Sequence, residues 1–431
     1  MTTFTSAAIN LRKEKTAKRL AQVLKAGDVV LVFSGEPMQK PGGHDQTYDF
    51  LPHPDYLWLT DSRRPHGVSA FSLEEGWIDF VKPISREEKI WEGGGTTIPG
   101  RPVADFDAWY EAFKAKRTFC LGLRGLAHSQ IKSESDDVLA DVQEAFNEVR
   151  RIKDAEEVAL IRRLALMANH GYVAVKNLIR PGLTERDIQI AYETEVFKAG
   201  AEKMPYGSIV GTGTNGAILH ASPSSRVVKA GEIVLIDAGA DVNDYCVDIT
   251  RVFPADGKLT AQQKTIYDLV LKAQHTSIAL CRPGVEWHEV HKASARVFAH
   301  GLAELGLIKT DPETALEAGA ASVFFPHGVG HMVGLRVRDV GGRFTKDART
   351  AFGVRVRVDM PLQSGFLMTI EPGLYFIQAL IDDAETRTKF ADHINWSEVE
   401  KWRDFGGIRL EDDILVTDSG PQNLTEVVAK L

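Results

Sequence analysis

The run Ile233-Val234-Leu235-Ile236 is apolar at every position and ends in Asp237-Ala238-Gly239-Ala240. A strand is apolar on both sides when both of its faces are covered, so an acid stands at the end of a buried strand. The next run, Tyr245 to Phe253, puts Asp248, Thr250 and Val252 on one face. Between the two runs, Asp241-Val242-Asn243-Asp244 has the composition of a turn. A turn centred on Val242-Asn243 sets Asp237 directly opposite Asp248, with Cβ atoms about 4.5 to 5.5 Å apart. Like charges so placed repel; such a pair persists if it is exposed, if one member is protonated, or if a cation lies between them.

The second half of the chain repeats the arrangement with glutamates. Phe366 to Ile370 leads into Glu371-Pro372-Gly373, and Gly407-Ile408-Arg409-Leu410-Glu411 places Arg409 and Glu411 on one face. Ahead of both lies His327-Gly328-Val329-Gly330-His331, which its glycines make a loop; Gly328 also rules out the zinc motif His-Glu-x-x-His. A weak repeat frames the two sets of acids: Arg180-Pro181-Gly182-Leu183 returns as Arg282-Pro283-Gly284-Val285. Each is followed by a helix (184–200, 286–306), a pair Pro205-Tyr206 or Phe325-Pro326, a His-bearing stretch and two strands. Arg-Pro-Gly is also an ordinary helix terminator, so the matching order of elements carries the case for two pseudo-equivalent halves.

Upstream, strand-like runs at 28–34, 56–60, 76–82 and 118–121 alternate with helical segments, an α/β pattern. Ala7, Leu11, Leu20 and Leu24 give the first helix an inward face. Arg150-Arg151-Ile152-Lys153 then leads to Asp154, with Glu157 three residues on, a capping-box start to a new helix. A boundary near 150 divides the 431 residues into an α/β domain over 1–150 and a larger α+β domain over 151–431. With 51 basic against 59 acidic residues there is no cationic surplus for nucleic acid. No apolar run approaches the ~20 residues that cross a bilayer, and the basic N-terminus has no apolar segment behind it. Three cysteines, an odd number in so long a chain, favour a reducing compartment, by default the cytoplasm.

The stretches Ile236-Asp237-Ala238-Gly239, Asp248-Ile249-Thr250-Arg251, His327 to His331, Thr369 to Gly373 and Gly407 to Asp412 resemble, in this order, the metallopeptidases of the pita-bread (creatinase/aminopeptidase) fold. More closely, the chain is similar to the Xaa-Pro peptidases, the aminopeptidase P and prolidase group. The resemblance covers about 150–431, and more loosely the N-terminal domain through His53-Pro54-Asp55-Tyr56-Leu57-Trp58-Leu59-Thr60 and Glu88-Lys89-Ile90-Trp91-Glu92-Gly93. It implies a two-metal site with Asp237 on one ion, Asp248 and Glu411 bridging, and His331 and Glu371 on the other. Four carboxylates carry about −4, which two divalent ions balance. Oxygen-rich ligands with one imidazole and no thiolate favour manganese, with cobalt or zinc as substitutes.

The reaction implied is hydrolysis of the bond before proline by a water shared between the ions. His327 assists at the scissile carbonyl, Glu371 carries the proton and Arg409 orients a ligand. His220, Arg338 and Arg357 are the substrate-binding candidates. His220 matches a substrate-lining His, without the aromatic that usually follows it. Arg338 stands where these peptidases usually have His, and a guanidinium stays charged and accepts no proton. We expect it to bond a substrate carbonyl or carboxylate. Arg357 either binds a dipeptide's free carboxylate, as in prolidases, or belongs to the solvated face of Val354-Arg355-Val356-Arg357-Val358. The stretch 377–405 resembles an insertion of bacterial prolidases, so dipeptides and short Xaa-Pro peptides both stand as substrates. A homodimer is the family expectation. The alternatives are a non-catalytic peptide-binding scaffold on this fold, or a hydrolase with phosphotriester side activity.

Overall fold

A computed structural model of the chain describes residues 3–95, 97–125, 128–135, 137–341, 349–356 and 358–431. It divides into two compact units, Met1–Arg150 and Arg151–Leu431.

In the first unit, β1 (Asp28–Phe33) is buried throughout and lies inside a five-stranded sheet with β2 (Val68–Ser72), β3 (Gly76–Val81), β4 (Arg101–Pro102) and β5 (Arg117–Leu121), in the order β4-β3-β2-β1-β5. β1 runs antiparallel to β2 and parallel to β5. The unit's α-helices among the described residues are α1 (Ser6–Leu20), α2 (Pro54–Thr60), α3 (Arg86–Trp91), α4 (Phe106–Phe113) and α5 (Asp137–Arg151, reaching the boundary).

Two sequence expectations fail in this unit. The run 56–60 is not a strand but α2: Pro54 at the first turn costs no hydrogen bond and presets φ, and Asp55 adds an acid where the helix dipole favours one. Every residue from Asp55 to Thr60 is buried, so the apolar run reflects enclosure, which does not separate a short strand from a short helix. In α1 the inward residues are Arg12, Thr16 and Leu20, while Leu11 is 45% exposed. Arg12 takes the inner face because its guanidinium lies 4.0 Å from the Phe4 ring centroid and donates to the Trp58 carbonyl at 3.2 Å.

The second unit carries the repeat. Helix α6 (Ala155–Leu178) starts on the predicted capping box, the Asp154 side chain accepting from the Glu157 N–H and the Glu157 carboxylate from the Asp154 N–H. It stops before Pro181-Gly182, and α7 (Glu185–Lys198) follows with Thr184 as cap. The later pair is α8 (Ala261–Ala279), then Pro283-Gly284, then α9 (Trp287–Glu304). The same two hydrogen bonds recur in each half. The Gly182 N–H donates to the Val228 carbonyl and the Val228 N–H to that of Leu183; Gly284 bonds Leu362, and Leu362 bonds Val285, in the same sense. Nine residues then lead from Val228 to Asp237 and from Leu362 to Glu371, so the halves bring their strand-end acids up in equivalent steps.

The strands of the first half are β6 (Ile209–Thr212), β7 (Ile233–Asp237), the small hairpin β8 (Asp241–Val242) and β9 (Tyr245–Cys246), and β10 (Thr250–Pro254), with the order β10-β7-β6. Beyond β11 (Thr350–Ala351) and β12 (Val354–Arg355), the second half has β13 (Leu367–Ile370), β14 (Gly373–Tyr375), β15 (Gly407–Arg409), β16 (Asp412–Leu415) and β17 (Gln422–Asn423). The stretch 377–405 folds into short helices and sends Ile381, Phe390, Ile394, Val399 and Trp402 into the main core.

The register of the first acid pair differs from expectation. Asp237 pairs with Thr250, not Asp248, because the hairpin turns on Asn243 and Asp244, both with positive φ (54° and 66°). Two left-handed residues make the tight turn whose twist matches right-handed strands, and Asn and Asp tolerate that conformation. The shift of two keeps Asp248 on the predicted face.

Candidate metal centre

Asp237 ends β7, Asp248 lies between β9 and β10, Glu371 follows β13, and Glu411 joins β15 to β16. The Glu411 N–H donates to the Thr250 carbonyl (3.2 Å), which stitches the acid of one half to the strand of the other. His331 is held against β13: its N–H donates to Thr369 Oγ1 (3.0 Å) and its carbonyl accepts from the Thr369 N–H (2.8 Å). Two glycines permit such close approach. A Cβ on Gly330 would fall 1.9 Å from the Thr369 carbonyl oxygen, and one on Gly239 1.9 Å from that of Val247.

Asp248, His331 and Glu411 each present a ligand atom within 4.8 Å of the others, and all three are buried. His331 Nε2 lies 3.5 Å from Asp248 Oδ2 and 3.8 Å from Glu371 Oε1. Its Nδ1 is 3.0 Å from the Met332 carbonyl. A carbonyl only accepts, so Nδ1 carries the proton and Nε2 turns a lone pair toward the carboxylates, the tautomer a metal requires.

The remaining carboxylate, Asp237, is held by Arg409 and Tyr206. Arg409 Nη2 donates to Asp237 Oδ2 (2.6 Å), Nε to Thr250 Oγ1 (3.1 Å) and Nη1 to the Tyr375 hydroxyl (2.9 Å). Thr250 passes the contact on, its hydroxyl donating to Glu411 Oε2 (2.7 Å). Arg409 therefore orients Asp237 directly and Glu411 through one hydroxyl. The Tyr206 hydroxyl lies 2.7 Å from Asp237 Oδ1 and 2.5 Å from Asp248 Oδ1. A phenol has one proton to give, so touching both carboxylates requires that one of them be protonated or that a cation take the proton's place.

Electrostatics point the same way. Burial, then repulsion from Asp237, holds the Asp248 carboxyl well above the ordinary range; burial, then repulsion from Asp248, does the same to Glu411. Enclosed acids that repel each other need a compensating positive charge, and Arg409 supplies only one. Oxygen donors, one correctly turned imidazole and uncompensated negative charge fit divalent cations.

The other site candidates fall out as follows. His327 Nδ1 lies 2.9 Å from the Gly328 carbonyl, and Nε2 lies 2.9 Å from the Tyr375 hydroxyl. The neutral ring spends its proton on Gly328, so donation to a substrate needs a second proton or release of that bond. His220 is exposed, next to Leu219, whose carbonyl oxygen is 3.5 Å from Arg409 Nη2. Arg338 is exposed on a loop staked just after it: Lys153 Nζ meets Asp339 Oδ2 at 2.8 Å, and Arg151 Nη2 donates to the Gly341 carbonyl at 2.7 Å. Arg357 lies outside the described residues. Sequence reading did not single out Tyr206, Thr250 or Tyr375 as site residues. Their signals were present: Pro205-Tyr206 marks the repeat, Thr250 shares the predicted face of Asp248, and Tyr375 follows Glu371 by four.

The model of metallopeptidase family M24 matches residues 159–418. A probable Xaa-Pro aminopeptidase of Ajellomyces capsulatus is 30% identical over 96% of this chain and 92% of its own length. Another, from Botryotinia fuckeliana, is 36% identical over 89% and 86%. Among solved structures, the aminopeptidase PepP of Pseudomonas aeruginosa superposes with a TM-score of 0.79 at 27% identity, covering 100% of this chain and 97% of that one. Aminopeptidase P from E. coli gives 0.79 at 26%, covering 99% and 96%. No helix among the described residues is long and apolar enough to cross a membrane. The chain belongs to metallopeptidase family M24, among the Xaa-Pro metallopeptidases of the pita-bread fold.

Proposed function

We propose that this chain is a two-metal Xaa-Pro aminopeptidase that removes the residue before proline from short peptides, with 151–431 as its catalytic domain and 1–150 as an accessory domain. The observation that carries the reading is the buried convergence of Asp248, His331 and Glu411, with Asp237 and Glu371 beside them. Asp237, Asp248 and Glu411 would hold one ion, and Asp248, Glu411, His331 and Glu371 the other. The charge of the set suits two divalent cations, and its oxygen-rich character suits manganese. When bound, the ions would supply Lewis acidity, activating a water and offsetting charge that develops on the scissile oxygen.

The protein's own groups do the rest. Arg409 keeps Asp237 aimed, and through Thr250 fixes Glu411. Glu371, half-buried at the edge of the cluster, is placed to take a proton from the attacking water and pass it to the leaving proline nitrogen. His327, with Tyr375 and Arg409 behind it, faces the same edge, its Nδ1 3.8 Å from Glu371 Oε2. His220 and Arg338, both exposed, are the side chains that would meet peptide carbonyls or a terminal carboxylate. Three free thiols, two of them buried, support a reducing compartment, and a cytoplasmic homodimer fits the reading.

The test is hydrolysis of an Xaa-Pro-Yaa tripeptide against an Xaa-Pro dipeptide, with metal content measured alongside. Manganese-dependent release of Xaa from the tripeptide, with about two ions per chain, is the expected result. Glu371→Gln should then lose several orders of magnitude in rate. A metal-free protein without hydrolysis after manganese is supplied would make the chain a scaffold, and cleavage of the dipeptide alone would make it a prolidase.

A further inference from the structure

Glu185 opens α7 with its side chain completely buried. A buried carboxylate is tolerable only when donors surround it, and here there are five contacts. Oε1 accepts from the Thr212 N–H (3.0 Å), the Thr212 hydroxyl (3.2 Å) and Asn215 Nδ2 (2.9 Å). Oε2 accepts from the Ser224 N–H (3.1 Å) and the Ser224 hydroxyl (2.6 Å). Thr212 ends β6, Asn215 lies in the 3-10 turn Gly213–Ala217, and Ser224 lies beyond it. One side chain therefore ties both ends of the segment 212–224, and exposed His220 stands within the loop so closed.

The first turn of α7 reinforces the clasp. The Glu185 N–H donates to the Arg226 carbonyl (3.1 Å), the Arg186 N–H to that of Ser224 (3.1 Å), and Arg186 Nη2 to that of Pro223 (2.8 Å). On the side facing the carboxylates, the loop meets Arg409 at the Leu219 carbonyl. His220 is thus held between an anchor on α7 and the arginine that orients Asp237.

The repeat argues that the fold itself does not demand an acid at this place. Gly182-Leu183-Thr184-Glu185 corresponds to Gly284-Val285-Glu286-Trp287, and in the second half the position of Glu185 is filled by the fully buried Trp287. An apolar side chain meets the packing requirement there. The carboxylate occurs in the half whose following loop carries an exposed His beside the metal ligands.

We propose that Glu185 is a positioning residue of the peptidase: it fixes the loop 212–224 so that His220 is presented to the substrate. The proposal rests on the reading of His220 as a substrate-binding group. It assigns Glu185 no contact with peptide or metal.

Glu185→Gln tests it. The carboxamide keeps the size but turns an NH2 toward donors on one side, so one set of bonds is lost. With an Xaa-Pro-Yaa tripeptide, kcat/KM should fall by up to about 100-fold, chiefly through KM, since a loop misplaced by about 1 Å has that effect. Calorimetric titration with Mn²⁺ should match the parent protein. In a double-mutant cycle, adding Glu185→Gln to His220→Ala should cost little more than His220→Ala alone. An equal loss in both backgrounds, a loss of Mn²⁺ binding, or parental kinetics would overturn the proposal. Parental kinetics in His220→Ala would overturn the substrate role of His220, and with it this role for Glu185. Should Glu185→Gln not fold, Ser224→Ala removes one hydroxyl partner and should give a smaller loss that likewise vanishes in the His220→Ala background. Additivity there would count against the proposal just as firmly.

Discussion

His291 lies in α9 with its ring wholly enclosed and stacked on Phe325, centroids 5.1 Å apart and planes at 24°. Neither ring nitrogen makes a well-formed hydrogen bond among the described residues. Burial pushes the imidazole down from 6.5 to about 4, opposed in part by the backbone of Ala351. The unfolded chain therefore takes up this proton near pH 6.5 and the folded chain near pH 4. Between those values the unfolded form binds more protons, so stability falls as the pH is lowered through the window. The whole shift is worth about 3.4 kcal/mol, of which about 2.4 kcal/mol is lost between pH 7 and pH 4.5. His291→Phe keeps a ring on Phe325 and removes the titration. Urea unfolding of both proteins at a series of pH values measures the difference. Every other titrating group is common to both proteins, so its contribution cancels. The parent should lose roughly 2 to 2.5 kcal/mol more than the variant on acidification. Parallel acid limbs would refute the argument, because they would mean that His291 reaches a proton acceptor or water in the folded state.

The gathering of acids was legible because Asp237 and Glu371 each close an apolar run, and such a pattern has few explanations once it occurs twice. Asp237 and Glu371 announce themselves in this way, and the repeat of Arg-Pro-Gly tells which helices precede them. The register of the first pair was less legible. It turns on whether Val242-Asn243 or Asn243-Asp244 makes the bend, and both pairs have turn composition; the two left-handed backbones decide it. Residues 56–60 were misread because a short enclosed helix and a short enclosed strand look alike by composition, and Pro54 was the overlooked clue. Tyr206 and Thr250 reach the carboxylates across chain separations that carry no local period, and so they appear only once the halves are folded together. The clasp at Glu185 is illegible for the same reason: its partners at 212, 215 and 224 are ordinary polar residues until the loop closes on one carboxylate.

Two further outcomes follow from the geometry. Tyr206→Phe removes the hydroxyl that Asp237 and Asp248 share, and should weaken metal binding by about 10- to 100-fold with little change in KM, read by calorimetric titration and by the manganese dependence of the rate; unchanged affinity would mean that the phenol only fills space. Lys153→Met strips Asp339 of a partner 2.8 Å away in a pair whose side chains are 1% and 2% exposed, and should cost about 3 to 5 kcal/mol in urea unfolding. The loss should extend beyond stability, because the Asp339 N–H donates to the Met332 carbonyl, the same oxygen that takes the His331 Nδ1 proton. Loosening Asp339 frees the peptide that sets the His331 tautomer, so metal affinity should fall with the unfolding midpoint. Adding Asp339→Leu separates the two effects: removing both charges should restore much of the stability, since a buried pair replaced by apolar groups is often neutral. Metal affinity should recover only as far as the Met332 carbonyl regains its place.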